Sequence, residues 1–349
     1  MGNDLRLTRR GFLGQSALAL AAGVGGLAAE QGAFGQTAGP QAPDSAPIHA
    51  SEYWAKRGNI KLYLYRKCLG EPRAGSSERP ILFLCHGSSV SSRSTFDLSV
   101  PGHGEFSFMD VFARYGYDVW TMDFEGYGRS SKSEGNSNVA DGAEDLKAAA
   151  LVMSKETGQE SFHLYGESGG ALRAGVFAMA EPRRVRRLAF SGFTWTGKGS
   201  STLAKRALKD DYYRTHSTRP RDRAMIRSIF TRDKPGTSDP AVADAMADAE
   251  MKFGTSVPTG TYLDMTTHLP LVDPTRLPMP VLIVRGEFDG IASEDDLLAF
   301  FQKLPVPDRE FVVLPGASHA VALGINRRQF WHVLHCYLDM PPRLDNIKG

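Results

Sequence analysis

The chain has 349 residues, 42% of them hydrophobic, 23% charged and 10% aromatic, which excludes a disordered chain, a collagen-like repeat and a small disulfide scaffold. Lys and Arg number 41 against 39 Asp and Glu, a formal net charge of +2, so charge gives no case for a nucleic-acid partner. The three cysteines, Cys68, Cys85 and Cys336, allow at most one intramolecular disulfide, fit no zinc spacing and read as free thiols.

Taken in chain order, the first feature is Thr8-Arg9-Arg10-Gly11-Phe12-Leu13-Gly14, followed by an Ala/Gly/Leu-rich run to about Ala29. Paired arginines before a modestly apolar segment resemble a bacterial twin-arginine (Tat) export signal. The run is too rich in small residues to make a good permanent anchor. Gly26 and Ala28, or Ala33 and Gly35, offer small residues for cleavage. Residues 1–35 are therefore assigned to a signal peptide and 36–49, rich in Gln, Ala, Pro and Ser, to a flexible spacer. The mature protein is expected in the periplasm or outside the cell, with no membrane contact.

From residue 50 onward, short apolar runs alternate with longer amphipathic ones. Strands are predicted at Ile60–Tyr65, Ile81–Cys85, Tyr117–Met122, Ser161–Tyr165, Val185–Phe190, Val281–Val284 and Glu310–Leu314. Helices are predicted at Phe106–Tyr115, Ala143–Lys155, Ala171–Ala180, Ser293–Lys303 and Arg327–Leu338. This rhythm implies an α/β fold: a mostly parallel sheet with helices on both faces. Between Thr194 and Pro278 no strand is evident, but helical stretches such as Thr202–Tyr213 and Pro240–Phe253 are. An insertion of that length reads as a helical cap. The expected layout is core over 50–193, cap over 194–278 and core again over 279–349.

The chemistry sits at strand ends. After Ser161–Tyr165 comes Gly166-Glu167-Ser168-Gly169-Gly170, the one G-x-S-x-G in the chain, and then a helix-forming run. A sharp strand–turn–helix elbow lifts Ser168 above the sheet and needs small residues two before and two after it, which Gly166 and Gly170 provide. It also sets the serine at a helix N-terminus, where negative charge is favoured. A serine needs a base and an orienting acid to become a nucleophile at neutral pH. The strand Val281–Val284 leads to Arg285-Gly286-Glu287-Phe288-Asp289-Gly290, and the last strand leads to Pro315-Gly316-Ala317-Ser318-His319. The order Ser…Asp…His is that of the α/β-hydrolase family.

From about residue 50 to its end, the chain resembles a cap-bearing serine α/β hydrolase of the esterase and lipase kind. His86-Gly87 after the run Ile81–Cys85, and Asp123-Phe-Glu-Gly126-Tyr-Gly128-Arg-Ser130 after the next strand, match further parts of the pattern. The resemblance implies the α/β-hydrolase fold with a helical cap insertion. It also implies Ser168 as nucleophile, His319 as base and then acid, and Asp289 as the residue holding the histidine. The implied oxyanion hole is the backbone N–H of Gly169 and of Ser88. His86-Gly87-Ser88-Ser89 departs from the H-G-G-G run of the hormone-sensitive lipase group, and a serine at the elbow separates the chain from dehalogenases and soluble epoxide hydrolases.

Glu287 and Asp295 are the alternatives for the acid; the G-x-x-D spacing from Gly286 favours Asp289. Among nine histidines, His332 and His335 have a spacing open to metal but no third ligand nearby, and packing is preferred. His163 reads as a satisfied core histidine and His103 as a turn residue. Phe193 and Trp195 are expected to line the substrate pocket. Segment 198–234 holds eleven basic residues against four acidic ones, read first as a solvated lid face and second as a field that draws anionic esters. The expected activity is cofactor-free and metal-free hydrolysis of a carboxylic ester or lactone, small and partly apolar or aromatic. The same triad serves C–C bond cleavage of diketone-type compounds and amide hydrolysis, and a non-catalytic binding module on this fold is the alternative of another class.

Overall fold

The computed structural model describes residues 46–75 and 77–341. The proposed signal peptide and residues 36–45 of the proposed spacer lie outside the described residues. No helix among the described residues is long and apolar enough to cross a membrane.

The first half of the chain runs β1 (Ile48–Arg57), β2 (Ile60–Leu69), β3 (Ile81–Cys85), α1 (Ser92–Phe96), α2 (Phe108–Arg114), β4 (Asp118–Met122), α3 (Val139–Thr157), β5 (Phe162–Glu167), α4 (Gly169–Ala180) and β6 (Val185–Ser191). Then come α5 (Ser201–Ala207), α6 (Asp210–Thr215), β7 (Thr218–Pro220), α7 (Arg223–Thr231), α8 (Pro240–Met251), β8 (Ser256–Pro258) and α9 (Gly260–Thr267). The chain returns through β9 (Val281–Gly286), α10 (Glu294–Lys303), β10 (Arg309–Leu314) and α11 (Arg327–Leu338).

Eight strands form one sheet in the order β1-β2-β4-β3-β5-β6-β9-β10. β2 is antiparallel to both β1 and β4, and every other pairing is parallel. Parallel strands buried on both faces must be apolar at every position, and β3 shows why its run ILFLC is unbroken. Ile81, Phe83 and Cys85 point into one core layer, while Leu82 and Leu84 point into the other. The first layer is covered by α3, α4 and α10 through Leu146, Phe177 and Phe300. The second is covered by α2 and α11 through Phe112, Phe330 and Leu334.

Local signals set the helix ends. Asn138 and Asp141 form a reciprocal capping box at the start of α3, and Gly158 ends it in the left-handed conformation, the pairing that satisfies otherwise orphaned end groups. Asp239 caps α8 ahead of Pro240, a residue pre-shaped for a first helical turn.

Two features differ from the sequence reading. β1 begins at Ile48, inside the segment assigned to the spacer, and pairs with β2 along its full length. The interval 194–278 holds a two-stranded antiparallel ribbon, β7 with β8, as well as helices, and the predicted helix Thr202–Tyr213 divides into α5 and α6. This capping segment packs onto the core through its own apolar cluster. Ile226, Phe230, Val242 and Met246 meet Val90, Leu98 and Phe106 of the segment after β3, together with Leu323.

Candidate active site

Four loops converge at the C-terminal ends of the parallel strands β3, β5, β9 and β10, the edge where open α/β sheets bind ligands. Ser168 links β5 to α4 with φ 56° and ψ −122°, a conformation that costs a non-glycine residue energy and persists only where the surroundings impose it. The surroundings do so here. Ser168 N–H donates to Ser191 O at 2.9 Å. A side chain at Gly166 would fall 2.6 Å from Ala171 Cα, and one at Gly170 would fall 2.2 Å from Cys85 O. Neither glycine can carry a Cβ without moving backbone.

His319 Nε2 lies 3.1 Å from Ser168 Oγ, and His319 Nδ1 lies 3.0 Å from Asp289 Oδ1. All three residues are buried. With the carboxylate accepting from Nδ1–H, Nε2 is left as the acceptor for the serine hydroxyl. Ile291 N–H also donates to Asp289 Oδ1 at 3.0 Å. Burial opposes ionisation of Asp289, but the charge and hydrogen bond of His319, with the Ile291 N–H, outweigh it and hold the carboxyl below its ordinary range. Of the two alternative acids, Glu287 accepts from Gly316 N–H at 2.8 Å and Asp295 is exposed on α10; neither meets His319.

The segment after β3 brings Ser88 against Gly169: a Cβ at Gly169 would lie 3.4 Å from Ser88 N and within 2.1 Å of Ser88 Oγ. Among the described residues, neither Ser88 N–H nor Gly169 N–H is committed to a backbone acceptor. The Ser88 hydroxyl is buried without a partner. His86 orients this segment. Its Nδ1 donates to Gly87 O at 2.8 Å while its Nε2 accepts Phe124 N–H at 3.2 Å. Burial, then the Arg173 charge, push His86 down to about 3, so the ring is neutral. Because C=O and N–H of a trans peptide point in opposite directions, anchoring Gly87 O on one side aims Ser88 N–H to the other. Tyr127 and Tyr262 hydroxyls donate to Ser88 O at 2.9 and 3.3 Å. Asp123 Oδ1 takes the N–H and hydroxyl of Ser92 at 2.9 and 2.6 Å, fixing the start of α1.

The match of a single family model covers residues 78–324, and its description is Hydrolase_4: serine aminopeptidase, S33. The chain belongs to this hydrolase family. The fold is the α/β-hydrolase fold, and this member shares it with solved structures of low sequence identity. E-2-(acetamidomethylene)succinate hydrolase is 19% identical over 84% of this chain and 100% of its own, with a TM-score of 0.61. The 2-hydroxy-6-oxo-6-phenylhexa-2,4-dienoate hydrolase of Rhodococcus sp. strain RHA1 is 18% identical with the same coverage and TM-score. A carboxylesterase of Bacillus subtilis is 18% identical over 84% of this chain and 93% of its own, with a TM-score of 0.59. No curated protein resembles the chain in sequence to a significant degree.

Other residues singled out in the sequence fall elsewhere. Phe193 is a core residue, not a pocket wall: its ring stacks on Phe190 at 4.6 Å and meets Phe300 at 5.0 Å. Trp195 is likewise engaged in packing, with its ring 5.9 Å from Phe300 and its indole N–H donating to Val272 O at 3.1 Å. Both follow β6 closely, but the chain turns them into the layer beneath α10. His335 stacks on Tyr115 at 4.1 Å, and no group of three metal-ligating side chains occurs among the described residues. His103 Nδ1 meets Asp239 Oδ2 at 2.7 Å, an exposed tie to the cap. His163 is buried, but its Nδ1 has no partner; burial pushes it down to about 4, which keeps it neutral. Sequence reading passed over Tyr262 and Glu250 and counted Arg221 only within the basic segment, yet all three hydrogen-bond residues 88–91 from the cap. Nothing local marks them, since their partners are supplied by remote chain.

Proposed function

We propose that this protein is a serine hydrolase of carboxylic esters or lactones that works through an acyl-enzyme on Ser168. The observation that carries this reading is the unbroken line from Asp289 through His319 to the strained Ser168. In the first half-reaction Ser168 Oγ attacks the carbonyl carbon and gives its proton to His319 Nε2. The oxyanion that forms faces the N–H groups of Gly169 and Ser88, at the dipole end of α4. Collapse of the tetrahedral adduct expels the alcohol, which leaves with the proton from His319. Water then loses a proton to His319 and attacks the acyl-enzyme, and the second adduct collapses to the acid as His319 returns that proton to Ser168 Oγ. Asp289 stays ionised throughout and balances the imidazolium. Only protein groups and water take part.

Labelling with a fluorophosphonate probe tests the reading. The wild-type protein should react and Ser168→Ala should not, and a panel of esters, lactones, amides and diketones should be cleaved best among the esters. Retained labelling in Ser168→Ala removes the nucleophile assignment. Preferred cleavage of a diketone or an amide keeps the triad and replaces the substrate class.

The reading includes export to the periplasm or beyond, supported by Arg9-Arg10 and the small-residue run behind them. Replacing both arginines by lysine should strand the uncleaved protein in the cytoplasm. Unchanged delivery removes the twin-arginine route.

A further inference from the structure

The basic residues of segment 198–234 are not equivalent. Arg221 is neutralised by Glu250, Arg223 by Asp244 and Asp248, and Arg227 by Asp244. Lys205, Arg206, Lys209 and Arg219 have no carboxylate within ion-pair distance among the described residues, and all four line a cavity of about 330 Å³ with Arg232. One carboxylate joins them there, Asp233, whose Oδ2 lies 3.5 Å from Arg232 Nε. Arg232 keeps Nε and Nη2 buried without a hydrogen-bond acceptor. Five cations around one cavity with a single acid is an arrangement that an anion among them would stabilise, because like charges repel and desolvated donors want acceptors.

The cavity is also held in place against the catalytic loops. The guanidinium carbons of Arg206 and Arg219 sit 5.1 and 4.8 Å from the centre of the same Tyr262 ring. The hydroxyl of that tyrosine meets Ser89 Oγ at 2.6 Å and Ser88 O at 3.3 Å. Ser89 lines the cavity, as do Phe288 and Gly290 on either side of Asp289. The cations thus surround a space that borders both the Ser88 segment and the loop of the catalytic acid. Burial, then the charge of Arg232, push Arg206 down to about 10; an anion beside it would reverse that direction.

We propose that this cavity is a carboxylate subsite, so that the substrate is an ester whose acyl or alcohol part bears a carboxylate held by Arg206, Arg219 and Arg232 while the scissile carbonyl meets Ser168. The subsite rests on the reading of Ser168 as nucleophile and adds a substrate class to it. Guanidinium groups suit this task because their planar donors match a carboxylate two bonds at a time. Lys205 and Lys209, at the exposed rim, add to the field that draws the anion in.

The test compares two esters of one shape, the mono-4-nitrophenyl ester of adipic acid and 4-nitrophenyl 6-oxoheptanoate, in which a neutral methyl ketone replaces the carboxylate. The wild-type ratio of kcat/KM, anionic over neutral, should exceed about 10, and Arg206→Met or Arg219→Met should lower it about 10- to 100-fold, the span of a charge-assisted hydrogen bond. Arg206→Lys should fall between, since it keeps the charge and loses the fork. A wild-type ratio near one, or equal losses on both esters, overturns the subsite while fluorophosphonate labelling of Ser168 leaves the nucleophile standing. If neither ester is cleaved and Ser168 is not labelled, the nucleophile reading falls, and the subsite is then read by calorimetric titration of adipate itself. Saturable adipate binding that weakens at least about tenfold in Arg206→Met supports it; no binding overturns it. Should Arg206→Met fail to fold, Arg219→Gln and Arg232→Gln give the same two readouts.

Discussion

Glu250 of the cap accepts both the N–H and the hydroxyl of Ser91 on one carboxylate oxygen, at 2.7 and 2.6 Å. Its other oxygen is paired with Arg221, and both side chains are buried. Arg221 in turn donates to Ser89 O at 3.1 Å and to Gly254 O at 3.0 Å. The cap therefore clamps the segment that carries Ser88.

Removing one partner of a buried pair strands the other charge, at a cost of about 3–5 kcal/mol. Glu250→Gln and Arg221→Met should each lose stability of that order in urea denaturation and should lower kcat through a loosened Ser88 segment. The double variant Arg221→Met/Glu250→Leu should recover part of the stability but not the activity, because no stranded charge remains. Full activity in a stable double variant would show that the clamp does not position Ser88.

The proposed catalytic line makes sharper demands. Ser168→Ala and His319→Ala should each lower kcat by roughly 10⁵–10⁶ with the fold intact, and together they should cost little more than either alone. Asp289→Asn should cost about 10³–10⁴, because it frees His319 to adopt the wrong tautomer. Glu287→Gln should leave kcat nearly unchanged, since Glu287 serves Gly316 N–H rather than the imidazole. Steady-state kinetics on one chromogenic ester decides all four.

The proposed oxyanion donors can be separated by chemistry. Ser88→Pro deletes the N–H and should cost about 10²–10³ in kcat, provided circular dichroism shows a native fold. Ser88→Ala keeps the N–H and should be milder. Equal and severe losses would assign the role to the buried, unpartnered hydroxyl instead. His86→Ala releases Gly87 O and leaves Phe124 N–H without its acceptor, and it should lower kcat by about tenfold or more with KM little changed.

The core was legible because its strands are buried on both faces and its helices are long and periodic. β3 and α11 run over the same residues in sequence and structure, Ile81–Cys85 and Arg327–Leu338. β1 escaped notice because its alternate positions are mostly half-buried and include His49, Ser51 and Arg57, so only its pairing with β2 makes it a strand. The ribbon β7–β8 has three residues a side and proline in each, too short for a periodic signal. In the site, residues that end a strand were readable one by one, since spacing from the strand end fixes where each side chain goes. Tyr262 and Glu250 were not, because they act on Ser88 and Ser91 from 174 and 159 residues away. Phe193 and Trp195 show the converse: proximity in sequence to β6 does not decide which layer an aromatic ring enters.

Glu167, between Tyr165 and Ser168 at the end of β5, gives a pH signature with a definite sign. Its carboxyl is buried, and burial pushes it up to about 7 against the opposing bond from the Tyr165 hydroxyl at 3.5 Å, with the charge of Asp289 adding to the rise. The unfolded chain gives this group its ordinary value of 4.5. The folded protein thus holds the proton more tightly, and the stability linked to it is complete below about pH 4.5 and is lost as pH rises through 7. The gap between the two values corresponds to about 3 kcal/mol. Asp289, held below its ordinary range, has the opposite sign: its contribution is present above the unfolded value and lost as pH falls through the folded one. The two windows do not overlap. Glu167→Gln keeps the shape and removes the titration, so it should lie within about 1 kcal/mol of the wild type at pH 5 and exceed its stability by up to about 3 kcal/mol at pH 8. Urea denaturation of both proteins from pH 5 to 8 measures the difference. Parallel curves across that range would mean that Glu167 ionises near its ordinary value, and that the Ser168 elbow carries a charge beside it at neutral pH.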